Sequence, residues 1–169
     1  MMRVLGVDPG LEATGYGVIE RVDTGDVRLL EAGVIHTETR IPLAERLATI
    51  SREVRQLIAD VRPAVLVLEE LWSAYKHPRT AILMGHARGV ICLAAADAGL
   101  SVVGYAPARI KKSVAGSGRA SKEQIGRMVS LKLGLAEVPR PDDVTDALAV
   151  ALTHCEMHRR LTSMKVGEP

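Results

Sequence analysis

Asp8, Glu69, Asp143 and Asp146 are the residues of this chain whose types and positions could do chemistry together. The first two each close an apolar run, Arg3–Val7 and Ala64–Leu68; the other two lie three apart in a C-terminal segment of helical pattern. An acid placed directly after a buried strand is held rigidly at the edge of its sheet. Residues three apart on a helix share a face, so Asp143 and Asp146 can point together, and Asp142 with Asp146, four apart, could do the same. Like charges in one site resist ionising together, so such a set calls for a cation. Oxygen ligands with no His or Cys among them suit Mg²⁺ or Mn²⁺ rather than Zn²⁺. Three or four carboxylates can hold two such ions about 4 Å apart, the arrangement that runs in-line displacement at a phosphodiester. One ion would activate a water and the other would stabilise the leaving 3′ oxygen.

Plainer readings stand beside this one. Asp8-Pro9-Gly10 is a good turn in its own right. Asp142 at a helix start suits an N-cap, which needs no metal. Asp146 lies a full turn inside, where capping no longer helps.

The elements between these residues must bring them together. Arg3–Val7 is apolar enough to be buried on both faces, hence central in its sheet. Residues 14–22 and 27–37 read as strands joined through the turn residues Asp23–Asp26, so the first three strands form an antiparallel meander. Gly15 and Gly17 flank Tyr16 and would let the backbone pass close to the Asp8 turn. Leu43, Leu47, Ile50, Val54, Leu57 and Ile58 repeat at helical spacing, with Pro42 suited to the first turn. A helix between two buried strands is a crossover, so residues 64–68 run parallel to the first strand. Glu69 then emerges at the same sheet edge as Asp8.

Residues 70–80 read as an irregular polar connection. Thr80–Ala98 is apolar almost all round, with small residues at Gly85, Ala87, Gly89, Ala94, Ala95 and Ala96, and must be covered on more than one face. Ser101–Tyr105 is a fifth strand, and Pro107 opens a short basic helix ending near Gly116–Gly118. Ser121 and Gln124 form a capping box for a helix that runs to Gly134. The closing helix spans Val144–Arg160. The expected fold is α/β: a five-stranded mixed sheet, three antiparallel then two parallel strands, with helices on both faces. One domain is expected over residues 1–163, and residues 164–169 as a flexible tail.

The composition of the 169 residues, 47% hydrophobic and 25% charged, is ordinary for a globular protein. Aromatics are only 2% with no Phe, so Ala, Val, Ile and Leu must build the core. The net charge of +2 says little, but its distribution says more. From Tyr105 to Gly134, Arg109, Lys111, Lys112, Arg119, Lys122, Arg127 and Lys132 face the single acid Glu123. Such a one-sided balance marks a polyanion-binding face. Cys92 and Cys155 lack disulfide or zinc spacing and read as buried thiols in a reducing compartment. No apolar leader or long uncharged run appears, so a cytoplasmic protein outside the membrane is expected.

Taken in order and spacing, several motifs resemble the RuvC family, the bacterial Holliday junction resolvases of the RNase H-like superfamily. They are Val7-Asp8-Pro9-Gly10, Thr14-Gly15-Tyr16-Gly17-Val18, Leu68-Glu69-Glu70, Gly85-His86-Ala87-Arg88-Gly89 and the segment from Asp143-Val144-Thr145-Asp146 to His154. The resemblance covers nearly the whole chain. It implies an RNase H-like fold and a homodimer on a four-way DNA junction, nicking two opposed strands of like polarity to leave 5′ phosphates. It also implies two Mg²⁺ or Mn²⁺ ions per active site and a branch-migration helicase complex as partner. Carried over residue by residue, the catalytic and metal-binding carboxylates fall on Asp8, Glu69, Asp143 and Asp146. Acids are doubled at Glu70 and Asp142. Strand alternation lets only one of Glu69 and Glu70 face Asp8, and motif spacing selects Asp143.

Trp72 falls where the family carries an aromatic that stacks near the branch point. Stacking on an unpaired base is worth about 1–3 kcal/mol; covering the end of the core is the plainer role. Tyr75, Lys76 and Arg79 would continue the contact to phosphates. Lys111 and Lys122 match the family's basic residues near the active site, with Lys112 and Arg119 as helpers. A lysine beside the scissile phosphate could stabilise developing charge. The small-residue helix, with His86, is the expected dimer seam, and His154 and Cys155 are expected to be packing or surface residues. Three competing readings remain. Actin-like sugar kinases share the Asp-Pro-Gly turn but need two such domains. A related nuclease could cut other branched DNA or RNA–DNA hybrids. A non-catalytic junction binder is disfavoured by the presence of all four carboxylates.

Overall fold

The computed structural model describes residues 1–22, 24–70 and 78–166, with residues 159–166 described by their backbone alone. Trp72, Tyr75 and Lys76 therefore lie outside the described residues. Strand β1 (Met2–Asp8) is apolar on both faces, with Val4, Leu5 and Val7 inaccessible to solvent, and it occupies the middle of the sheet. β2 (Ala13–Arg21) and β3 (Val27–His36) extend it as an antiparallel meander on one side. Helix α1 (Leu43–Val61) then crosses over to β4 (Val65–Glu69), which pairs parallel with β1. α2 (Pro78–Asp97) leads to β5 (Ser101–Tyr105), parallel with β4, and completes the order β3-β2-β1-β4-β5. The expected mixed sheet is the observed one.

Strand alternation sends side chains to two separate cores. Leu5, Val7, Leu66 and Leu68 pack against Ile50 and Val54 of α1 and Ile91 and Ala94 of α2. On the other face Val4, Val65 and Val67 meet α3 (Pro107–Ala115), α4 (Lys122–Leu133) and α5 (Asp142–Val166). α4 opens on the expected capping box, in which the Ser121 hydroxyl and Gln124 backbone, and the Gln124 amide and Ser121 backbone, bond reciprocally. Among the described residues no helix is long and apolar enough to cross a membrane. Neither cysteine is bonded to the other: Cys155 is buried, and Cys92 only partly so.

Among the described residues α2 buries Ala87, Ile91, Ala94 and Ala95 and leaves Ile82 and Leu93 61% and 54% exposed. Two features differ from the sequence-based expectation. α5 begins at Asp142 rather than Val144 and continues through Val166 rather than ending at Arg160. The glycines of β1 and β2 serve α5 rather than the turn after Asp8. A Cβ on Gly6 would lie 2.1 Å from the Ala147 carbonyl oxygen, one on Gly15 2.1 Å from that of Asp143, and one on Gly17 2.3 Å from the Leu148 side chain. Gly6 and Gly17 are cross-strand partners, and Gly15 is the partner of Asp8. Bare backbone in this patch lets α5 lie directly on the sheet beside Asp8.

Candidate active site

The strand register sets the first two carboxylates. Val7 pairs with Leu68, so Asp8 and Glu69 follow side by side at the ends of parallel strands. Both continue the α5-facing alternation, Val4-Gly6-Asp8 and Val65-Val67-Glu69. Glu70 leaves the other way: its side chain lies 2.9 Å from where a Cβ on Gly104 would stand. The close seat of α5 on Gly15 then brings the first turns of that helix, with Asp143 and Asp146, over the same strand ends.

The turn after Asp8 is tied down by hydrogen bonds from three directions. The Thr14 hydroxyl donates to the Gly10 carbonyl at 2.6 Å. The Thr37 backbone N–H donates to the Glu12 carbonyl at 3.0 Å, and its hydroxyl donates to the Leu11 carbonyl. Arg46 of α1 in turn donates from Nε to that hydroxyl at 2.9 Å, and the guanidinium is buried. Pro9–Glu12 form the short connection between β1 and β2, with bends at Leu11 and Glu12, and these bonds hold the segment that follows the carboxylate.

Asp8, Glu69, Asp142, Asp143 and Asp146 line one cleft of about 480 Å³, with Lys111 and Lys122 as its cations and Met84, Pro107, Ile110, Ile125 and Ala149 as its apolar walls. Five carboxylates thus face two ammonium groups. Burial and the charges of Asp146, Asp143 and Glu69 push the Asp8 carboxyl up to about 7, with Lys122 pulling the other way. Glu69 is raised by burial and by Asp146, against the opposing pull of Lys111 and Lys122. The Lys122 Nζ sits 3.2 Å from an Asp146 carboxylate oxygen, and that charge raises its own proton affinity. Asp142, in the first turn of α5, accepts from Arg140 at 2.7 Å.

These residues fit a divalent cation by donor type, since all are hard oxygens, and by charge, since two lysines leave the carboxylates under-neutralised. Among the described residues no three potential ligands already stand at ion-holding spacing, and Lys122 pairs with Asp146. His154 is no ligand either. It is buried on α5 with Nδ1 2.8 Å from the Tyr105 hydroxyl, and burial, with the charges of His158 and Arg21, draws it down to about 4.

Lys112 and Arg119 are exposed and outside the cleft lining, and Arg79 is exposed in the first turn of α2. A second cleft of about 380 Å³ adjoins the first, sharing Lys122, Asp142 and Asp146 and adding Arg127 and Arg140. Two α2 residues at the site had no role assigned from sequence. Met84 walls the cleft, and the Arg88 guanidinium donates to the Glu69 carbonyl at 2.6 Å. The Gly85–Gly89 motif contains Arg88, but periodicity alone says nothing about where a helical arginine reaches.

The model of the crossover junction endodeoxyribonuclease RuvC family matches residues 4–154. The chain belongs to the RuvC family. RuvC of Rhodopirellula baltica is 50% identical over 149 residues, covering 88% of this chain and 83% of that relative. RuvC of Moorella thermoacetica is 49% identical over 153 residues, 90% of each chain. Among solved structures, Thermus thermophilus RuvC in complex with Holliday junction substrate superposes with a TM-score of 0.90 at 38% identity, covering 96% of this chain and 98% of that one. A yeast mitochondrial Holliday junction resolvase shares the fold, with a TM-score of 0.67 at 13% identity. Membership of RuvC makes this chain a crossover junction endodeoxyribonuclease, an enzyme of DNA recombination and repair, with the RNase H-like α/β fold.

Proposed function

We propose that the chain resolves four-way DNA junctions in the cytoplasm as a homodimer, each subunit nicking one of two opposed strands with Asp8, Glu69, Asp143 and Asp146 as its metal-binding carboxylates. The observation that carries the reading is the cleft in which these acids, from β1, β4 and α5, face two lysines among the described residues. Two Mg²⁺ or Mn²⁺ ions held there would supply an activated water and offset charge on the leaving 3′ oxygen.

The chain's own residues do the rest. Asp8, anchored by its turn, loses its proton when a cation balances the neighbouring carboxylates. Lys122, on an exposed side chain paired to Asp146, is the ammonium that can transfer to a phosphate oxygen and stabilise its developing charge. Lys111 holds the opposite wall near Glu69. The apolar lining excludes water and strengthens each of these interactions. Trp72, Tyr75, Lys76 and Arg79 follow β4 and would meet the branch point and its phosphates, with Lys112 and Arg119 reaching phosphates farther out. The stripe Ile82, Gly85, His86, Gly89 and Leu93 on α2 would seat the second subunit, giving a two-fold axis to match two equivalent strands. The branch-migration helicase complex is the partner that would deliver the junction.

The test offers a labelled four-way junction, a linear duplex and an RNA–DNA hybrid, each with Mg²⁺, with Mn²⁺ and with EDTA. Paired symmetric nicks in the junction alone, and only with a divalent ion, are expected. Cleavage in EDTA would refute the metal reading, and preferential cutting of the hybrid would refute the substrate.

A further inference from the structure

Arg88 lies mid-way along α2, whose buried residues pack on the sheet face that α1 covers, and its guanidinium reaches the strand end that carries Glu69. It grips the peptide carbonyl, not the carboxylate. The carbonyl of Glu69 and the N–H of Glu70 belong to one planar peptide group. That N–H donates to the Tyr105 carbonyl of β5 at 2.9 Å, so both polar atoms of the plane are held, one by β5 and one by α2. Gly104 completes the clamp, since the Glu70 side chain occupies the space a Cβ there would need. A fixed plane on the C-terminal side of Glu69 sets its ψ angle and hence the direction in which its side chain leaves the backbone. β4 has five residues and its described pairing with β5 ends at Glu69 and Tyr105.

We propose that Arg88 is a positioning residue that aims Glu69 into the carboxylate cluster, so that its loss weakens ion binding without weakening the grip on DNA. This rests on the reading of Glu69 as an ion ligand. A charge-assisted bond to a carbonyl is strong enough to hold such a strand end, and supporting contacts of this kind govern how well a ligand is aimed.

The experiment titrates Mn²⁺ calorimetrically into the full chain, without DNA, for the wild type, Arg88→Ala, Arg88→Lys and Asp8→Asn, and measures junction affinity in EDTA and melting temperature alongside. Arg88→Ala should bind Mn²⁺ roughly tenfold more weakly, within the usual range for losing an outer partner of a metal ligand. Arg88→Lys should recover most of that loss, and junction affinity should stay within about twofold of the wild type, because the bond that Arg88 makes goes to a backbone carbonyl of the ion site. Wild-type Mn²⁺ affinity in Arg88→Ala overturns the proposal. Parallel losses of Mn²⁺ affinity, junction affinity and melting temperature, with Arg88→Lys no better, also overturn it in favour of a purely structural role. If Arg88→Ala does not fold, Arg88→Gln takes its place with the same expected and overturning outcomes. If the wild type binds no Mn²⁺, or Asp8→Asn binds it equally well, the metal reading beneath the proposal fails first.

Discussion

Asp8→Asn should stabilise the protein at neutral pH in the absence of divalent ions while abolishing cleavage. The folded structure raises this carboxyl from 3.8 to about 7. Between roughly pH 4 and 7 the native state holds a proton that the unfolded chain has already released, so stability falls as pH rises through that window and is level above it. At about 1.4 kcal/mol per tenfold change in proton affinity, the ceiling on this loss is ~4 kcal/mol. The true figure is smaller, because Glu69 also takes up protons in the same cluster and Lys122 can move to compensate. Half the ceiling would still lower the melting temperature of a chain this size by roughly 4–8 °C. The assay is urea unfolding in EDTA at pH 5 and pH 8. The wild type should lose stability between the two, and Asp8→Asn should lose much less and be the more stable protein at pH 8. Adding Mg²⁺ should close the gap by stabilising only the wild type. A wild type whose stability is flat or rises with pH, or an Asp8→Asn variant less stable than it at pH 8, would refute the electrostatic account of the cleft.

Lys122→Ala should slow junction cleavage and reduce the slope of log affinity against log salt by about one, as expected for one lost phosphate contact; filter binding at several salt concentrations checks the slope. Because Lys122 neutralises Asp146 in the ion-free state, the same variant should bind Mn²⁺ more tightly than the wild type by calorimetry. Gly15→Ala forces a methyl to within 2.1 Å of the Asp143 carbonyl, a backbone clash that should cost about 3 kcal/mol in urea unfolding and lose activity by lifting Asp143 from its place. Gly85→Ala has nothing within 4 Å of its added carbon, so helix propensity alone predicts a gain of up to about 1 kcal/mol in the isolated chain. Leu93→Glu, on the exposed stripe of α2, should shift sedimentation from dimer to monomer without unfolding the chain.

The fold was largely legible because its rules are local. Uniform apolar runs at Val4–Val7 and Val65–Leu68 identify central strands, and the helix between them forces parallel pairing. From that pairing alone Glu69 falls beside Asp8. The roles of Gly15 and Gly17 were not legible, because a glycine in a strand says that something approaches closely and not what. It took the seat of α5 to show that the visitor is the Asp143 carbonyl. The pattern of α2 asks for cover on more than one face, and among the described residues its own chain buries Ala87, Ile91, Ala94 and Ala95 while Ile82 and Leu93 stay exposed. Arg88 escaped notice since its reach to Glu69 depends on how α2 is docked, which no pattern within the helix encodes.

Asp8, Glu69 and Asp143 are held in place by contacts made through backbone rather than through their carboxylates. Asp8 is set by threonine bonds to the backbone of its turn, Glu69 by Arg88 and Tyr105 on its peptide plane, and Asp143 by the fit of its backbone against Gly15. Had the carboxylates been positioned through their own oxygens, each such hydrogen bond would have lowered that group's demand for a cation. Backbone anchoring leaves the oxygens of Asp8 and Glu69 uncommitted and their proton affinities high. The repulsion among them remains in the folded state until charge of the opposite sign arrives. Lys122 meets that demand only in part, and it does so from an exposed, flexible side chain that can be displaced. A site built this way should therefore gain stability from a divalent ion roughly in proportion to what Asp8→Asn gains without one. Comparing those two gains in the same protein separates repulsion stored in the cleft from any general effect of the ion on the fold.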